Sequence, residues 1–275
     1  MSDKSKGQIP ADKKTFETNR EAGGTREWSD ASHNIALGCD HNCLYCYARL
    51  IARRFGRIEK FEDWTTMVVN PSKIDASARD FGGVVMFPTT HDITPQILPA
   101  ALVTLKNLLT AGNDVLIVSK PHLKVVQTLC REFKTYRDKI LFRFTIGSLA
   151  AATCKLWEPG APPPAERIAA LEFAFAHGFR TSVSMEPMLG QNDEIKALVA
   201  RVTPFVTDTI WLGKLNGAVP MVAQELPGVK RSLAAIRSGQ SDDNILSLYA
   251  ALKKHHKVRW KDSIKKVLRQ HGMVV

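Results

Sequence analysis

Three cysteines, at 39, 43 and 46 in the stretch GCDHNCLYCYA (38–48), are the residues of this chain best suited to chemistry. A structural zinc site takes four ligands in a tetrahedron. This cluster offers three, with His41 between them as a candidate fourth. Cys39, His41, Cys43 and Cys46 are bunched too tightly for the two separated knuckles of a zinc fold, and no second Cys-x-x-Cys follows. A disulfide framework is disfavoured by the odd total of five cysteines and by an N-terminus, MSDKSKGQIPADKKTFETNREAGG, without the apolar stretch of a secretory signal. An iron–sulfur cluster fits better, because three thiolates anchor three irons and leave the fourth iron an open coordination position. Leu44 and Tyr45, packed beside it, would restrict solvent and tune its potential.

Such a loop needs a scaffold, and the chain supplies a repeated strand-then-helix rhythm. HNIALG (33–38) reads as a short apolar strand, followed by the cysteine loop and a helix through ARLIARRFG. GGVVMFPTT (82–90), DVLIVSK (114–120), KILFRFTIGS (139–148), FRTSVSMEPML (179–189) and TDTIWLGKLN (207–216) read as further strands, most followed by an amphipathic helix. Near-continuous apolar strands alternating with helices indicate a parallel sheet with crossover helices. Six such units predict a partial (β/α)6 TIM-type barrel within an α/β class, although the rhythm is also compatible with a doubly wound sheet. After Asn216 the pattern is helical only. The expected organisation is a loose arm over 1–30, a barrel over 31–217 and a C-terminal helical extension over 218–275.

In a barrel, functional residues gather at strand C-terminal ends. Here those ends carry Cys39, Thr89 to Asp92, Ser119-Lys120, Gly147-Ser148, Glu186 and Lys214 to Asn216. Cys130 and Cys154 read as buried thiols, Cys154 less plainly because it falls near a barrel loop. Asp92 suits either a ligand contact or the N-cap of the next helix. Glu158 and Arg167 suit a surface salt bridge at the mouth.

No apolar run approaches the roughly 18–20 residues a bilayer span needs, so a cytoplasmic protein without membrane contact is expected. The net charge is +11, and the segment after Leu252 carries eight basic residues against Asp262 alone. WKDSIKKVLRQH spaces Trp260, Ile264, Val267 and Leu268 on one side of a helix and lysines on the other, a solvated face that would also suit a polyanion. Arg49, Arg53, Arg54, Arg57 and Lys60 form a second basic group.

Cys-x3-Cys-x2-Cys after the first strand of a βα series resembles the radical S-adenosylmethionine superfamily. GCDHNCLYCYA, FPTTHDITP, VLIVSK and LWEPGAPPPAERIAALEFAFAHGFRTSVSMEPML narrow the resemblance to the spore photoproduct lyase-like branch. The resemblance implies a 4Fe–4S cluster on Cys39, Cys43 and Cys46, and S-adenosylmethionine chelated at the open iron. Cleavage to a 5′-deoxyadenosyl radical and hydrogen abstraction from a substrate would follow. It also implies Tyr45 beside the cofactor's adenine, Lys120 and Ser148 at its methionine part, Asp92 as a ribose or substrate contact, and a flavodoxin- or ferredoxin-like electron donor. Thr89 stands where the lyase carries its hydrogen-donating cysteine, and a threonine O–H is a far poorer hydrogen-atom donor. No catalytic residue beyond the cluster is therefore assigned. The substrate expected from charge is a nucleic acid, held through the basic C-terminal helix. A peptide or small metabolite, or a non-catalytic zinc-stabilised nucleic-acid-binding module, are the alternatives.

Overall fold

The computed structural model describes residues 24–215 and 225–273. Among the described residues nine strands follow in chain order: β1 (Ala31–Ser32), β2 (Ala36–Leu37), β3 (Val68–Val69), β4 (Val84–Met86), β5 (Asp114–Ser119), β6 (Ile140–Thr145), β7 (Arg180–Met185), β8 (Ile210–Leu212) and β9 (Val258–Trp260). Seven of them form one parallel sheet in the order β1-β4-β5-β6-β7-β8-β9, and β2 pairs antiparallel with β3 apart from it. The sheet never doubles back. A doubly wound sheet reverses direction at a switch point, so sequential order decides for the partial barrel.

The strands read as continuous apolar runs because both faces are covered. Phe142 and Phe144 of β6 pack with Val115 and Ile117 of β5 into the large core shared with the helices. Leu141 and Leu116, one residue out of phase, pack inward with Trp28, Val84 and Met86. The period of two thus sorts each strand into an outer and an inner set.

The helices are α1 (Tyr47–Arg54), α2 (Pro71–Asp75), α3 (Leu98–Thr110), α4 (Leu123–Glu132), α5 (Ala151–Trp157), α6 (Pro164–Ala176), α7 (Asn192–Val202), α8 (Val229–Gly239), α9 (Asp242–Leu252) and α10 (Asp262–Gln270). Helix α3 stops at Gly112 (φ +99°), which takes the left-handed conformation that a side chain would resist. Helix α6 starts with Pro164 at its first turn, where a missing N–H costs nothing.

Three expectations change. The first barrel strand is Ala31–Ser32, while part of HNIALG makes the separate β2 ribbon that carries the chain to the cysteines. Residues 24–30 are not a loose arm: Glu27 and Trp28 are buried, Trp28 inside the barrel. Residues 1–23 lie outside the described residues. The C-terminal segment is not helical only, since β9 adds a seventh strand parallel to β8 (Ile210 opposite Val258). Three residues flanked by lysines carry too little apolar pattern to announce a strand. Trp260 belongs to that strand, and Ile264, Val267 and Leu268 of α10 are buried as their spacing predicts.

Candidate active site at the cysteine loop

The cysteine loop is held by backbone on both sides. Gly38 (φ +92°) approaches Thr66 so closely that a Cβ would lie 2.2 Å from its carbonyl oxygen, and the Cys39 N–H donates to Trp64 O at 2.7 Å. On the other side the Leu44 N–H donates to Trp157 O (2.8 Å) and the Gly160 N–H to His41 O (3.0 Å). A Cβ on Gly160 would lie 2.0 Å from Asp40 O. Asn42 takes φ +51°, a conformation asparagine tolerates, and its Oδ1 accepts from Arg49 Nη1 at 2.7 Å. Arg49 also donates to Cys43 O (3.2 Å) and is buried, so it braces the loop and is no part of a surface cluster.

Cys39 and Cys43 are buried and Cys46 is half-buried, all as free thiols. Burial pushes the Cys43 thiol up to about 12 even though Lys120 pulls against it. Cys39 is also raised, by burial and then by Asp92 and Cys43. Among the described residues no three His, Cys, Asp or Glu side chains are drawn into a closed metal-ligand set. The three thiols share one loop. His41 does not face them as a fourth ligand: its Nδ1 stands 3.1 Å from Asp92 Oδ2 and its Nε2 3.2 Å from His122 Nε2.

The side chains expected around the loop divide into two groups. Tyr45 and Lys120 come together with Glu158 and Arg167. The Tyr45 hydroxyl donates to Glu158 Oε1, Lys120 Nζ lies 4.0 Å from the same oxygen and 5.5 Å from the Tyr45 ring, and Arg167 Nη2 lies 2.5 Å from Glu158 Oε2. Glu158 and Arg167 are fully buried, not a surface salt bridge. Burial alone would raise the Glu158 carboxyl, but Arg167 and Lys120 outweigh it and hold it below the usual carboxylate range. Burial would likewise lower Lys120, yet Cys43, Glu158 and Asp92 together raise it, so its ammonium stays charged beside the thiols.

Asp92 and Ser148 are turned to protein partners. Asp92 accepts from Ser119 Oγ, from the Lys120 N–H (2.8 Å) and from the Ile93 N–H (2.8 Å). Opposed by burial but favoured by His41 and Lys120, its carboxyl sits well below the usual range. It does not cap α3, whose N-cap is Ile97. Ser148 is buried, donates its hydroxyl to Glu194 Oε1, and accepts from the Ala150 N–H at 2.9 Å. His91 is a satisfied core histidine, accepting the Ile35 N–H at Nε2 (3.1 Å) with Nδ1 3.1 Å from Asp92 O. Cys154 is buried with Sγ 3.7 Å from Ser148 O, and its thiol is raised to about 12 by burial. Thr89 lies at the mouth, its carbonyl accepting from the Tyr47 hydroxyl at 2.6 Å.

Sequence reasoning missed the opposite wall. Lys261, after β9, is buried with Nζ 2.5 Å from Glu27 Oε2, 3.6 Å from Glu186 Oε2 and 4.0 Å from the Trp28 ring centroid. Arg143 is buried inside the barrel, its guanidinium 4.5 Å from the Trp28 ring and 5.6 Å from that of Trp211. A lone arginine inside the apolar run ILFRFT was the available signal. Lys261 is thus no part of a solvated basic face, and Lys257 donates to Thr203 O (3.2 Å) and Val206 O (2.6 Å).

No protein-family model matches the chain. An uncharacterized protein, ORF301, of Acidianus two-tailed virus is 30% identical over 197 residues, a match spanning 67% of this chain and 64% of the viral protein. Streptococcus suis SuiB bound to its precursor peptide SuiA shares the fold at TM-score 0.54 and 12% identity, over 88% of this chain and 51% of SuiB. A spore photoproduct lyase mutant with dinucleoside spore photoproduct overlaps 82% of this chain and 64% of its own at TM-score 0.48 and 15% identity.

Proposed function

We propose that this chain is a radical S-adenosylmethionine enzyme. The observation that carries the proposal is the three-thiol loop, fixed by backbone on both sides, at the C-terminal mouth of a sequentially wound parallel sheet. The donor set fits a 4Fe–4S cluster: Cys39, Cys43 and Cys46 supply three thiolates, and His41 is engaged elsewhere. Full convergence of thiolates is what a bound metal adds, since binding must displace their protons. When bound, the cluster and S-adenosylmethionine supply reductive cleavage to a 5′-deoxyadenosyl radical.

The chain's own residues shape the surroundings. Lys120 keeps a positive charge beside Cys43 and suits a carboxylate partner. Tyr45 is locked by Glu158 and offers its ring as an apolar wall. Asp92 and Ser148 act one step back, Asp92 fixing His41 of the loop and the Lys120 backbone, Ser148 pinning the turn after β6. The reducing partner we infer is a flavodoxin- or ferredoxin-like protein. The compartment we infer is the cytoplasm, where five free cysteines are at home. Among the described residues no helix is long and apolar enough to cross a membrane. A nucleic acid is the substrate class we favour over a peptide or small metabolite, on the +11 charge.

Anaerobic reconstitution with iron and sulfide, then reduction with S-adenosylmethionine present, should release 5′-deoxyadenosine, and Cys43→Ala should abolish the release. No release from the reconstituted protein, or about one zinc and no iron per chain in anaerobically purified protein, overturns the reading in favour of a zinc-stabilised module.

A further inference from the structure

Outside the barrel lie two cavities, one of about 420 Å³ between α1 and the β2–β3 ribbon and one of about 260 Å³ beside α2, that share Asn34 and Lys73 as walls. Arg57 and Lys73 line the larger, Lys73 and Arg79 the smaller, and no carboxylate lines either. All three cations are exposed, and none has an ion pair among the described residues. Evolved surfaces intersperse both signs; a concave track with three unpaired cations and no carboxylate favours an anion repeated along its length.

Exposed apolar side chains line the larger cavity or stand beside it: Ile51 and Val68 are among its walls, and Phe55 lies next to Arg57. Phe55 is 66% exposed, Val68 59% and Ile51 43%. The Arg54 and Arg57 guanidiniums lie 6.0 and 5.9 Å from the Phe55 ring, and Arg79 lies 4.3 Å from the Phe81 ring. Cations set beside an exposed aromatic ring are what unpaired bases and their phosphates require together. A duplex hides its base faces and would leave Phe55 without a partner. At its inner end the larger cavity meets Asn34 and Thr90. There Asn34 holds the Thr89 and Thr90 N–H groups, beside the Thr89 carbonyl that Tyr47 reaches. The track therefore runs from solvent toward the cysteine side of the mouth.

We propose that this groove binds single-stranded nucleic acid, with Arg57, Lys73 and Arg79 on phosphates and Phe55 under a base. The C-terminal basic segment is the weaker candidate, because Lys257 and Lys261, which flank β9, and Lys265 of α10 are bonded to the protein itself. Only the catalytic consequence of this placement rests on the radical reading; binding itself does not.

The test uses the full chain without cofactor, titrated anaerobically against a fluorescein-labelled 15-nucleotide oligothymidine and followed by fluorescence anisotropy. Three phosphate contacts predict a roughly 20-fold loss of affinity between 50 and 200 mM salt. R57E/K73E/R79E should weaken binding more than about 10-fold and flatten that salt dependence. Phe55→Ala, an exposed position that leaves the fold intact, should weaken it about 5-fold or more. Both variants should still release 5′-deoxyadenosine after reconstitution, which separates this proposal from the enzymatic one. No binding by the unaltered chain overturns the proposal. So does binding abolished by K266E/R269E but untouched by the groove variants, or a duplex bound as tightly as the single strand and indifferent to Phe55→Ala.

Discussion

Two carboxylates at the barrel mouth, Glu158 and Glu186, are pushed in opposite directions by their surroundings. Glu158 is sealed, with both oxygens engaged by Tyr45, Lys120 and Arg167, and these cations hold it ionised against the pull of burial. Glu186 faces a single shared cation, Lys261 at 3.6 Å, keeps 29% of its side chain exposed, and is raised by burial that Lys261 only partly offsets. Lys261 sits closer to Glu27, at 2.5 Å. The same residue type therefore serves as a fixed ion on the cysteine side and as an under-paired, accessible group on the other. Environment alone thus separates a permanent charge from a group whose charged form burial disfavours.

Neutralising each carboxylate in turn breaks this comparison most directly. Glu158→Gln leaves Arg167 buried without its counter-ion and should cost about 3–5 kcal/mol in denaturant unfolding. Glu186→Gln removes a charge that burial already disfavours, and its effect should stay within about 0.5 kcal/mol. Equal losses from the two variants would erase the distinction. Replacing Glu158 and Arg167 together, by Leu and Met, should cost less than Glu158→Gln alone, because no orphaned arginine remains.

The next largest effect concerns how the sealed wall grips the cysteine loop. Gly160→Ala places a Cβ within 2.0 Å of Asp40 O, so the backbone must separate there. The expected cost is about 1–3 kcal/mol, together with lower iron retention after reconstitution and gel filtration. Cys154→Ala, at a buried thiol outside the loop, should leave iron content unchanged. Iron lost equally from both variants would show that general destabilisation, not loop docking, governs retention.

What was legible in the sequence follows the range of the interactions. The cysteine loop, Lys120 at its strand end and the α10 stripe are local patterns, and each stands where its spacing put it. Asp92 and Ser148 lie in the loops that follow β4 and β6, past the strand ends where the sequence reading put them, and their side-chain partners lie far along the chain. Ser119 follows Asp92 by 27 positions and Glu194 follows Ser148 by 46, and no local pattern announces such a pairing. A still longer link, Glu27 to Lys261 across 234 positions, joins a supposed loose arm to a supposed basic surface helix. Each end looks solvated when read alone; only barrel closure brings them together and buries both.

The smallest effect tests the neutral side of the sealed wall by pH. His91 has its pKa lowered, first by burial, then by His33, against the raising influence of the Asp92 backbone and carboxylate. Its Nε2 must stay unprotonated to accept the Ile35 N–H. A histidine held below its unfolded value of about 6.5 binds fewer protons folded than unfolded. Its contribution is therefore complete above pH 6.5 and declines as pH falls below it, by up to about 1.4 kcal/mol per pH unit. Glutamine can accept the same N–H without titrating, so His91→Gln should flatten the stability profile between pH 6.5 and 5, measured by urea unfolding at each pH. Asp92 does not contribute in that window, because a lowered carboxyl loses its stabilisation only below about pH 4. An unchanged slope in His91→Gln would assign the pH 5–6.5 decline to His33, His122 and His255, which are lowered by burial as well.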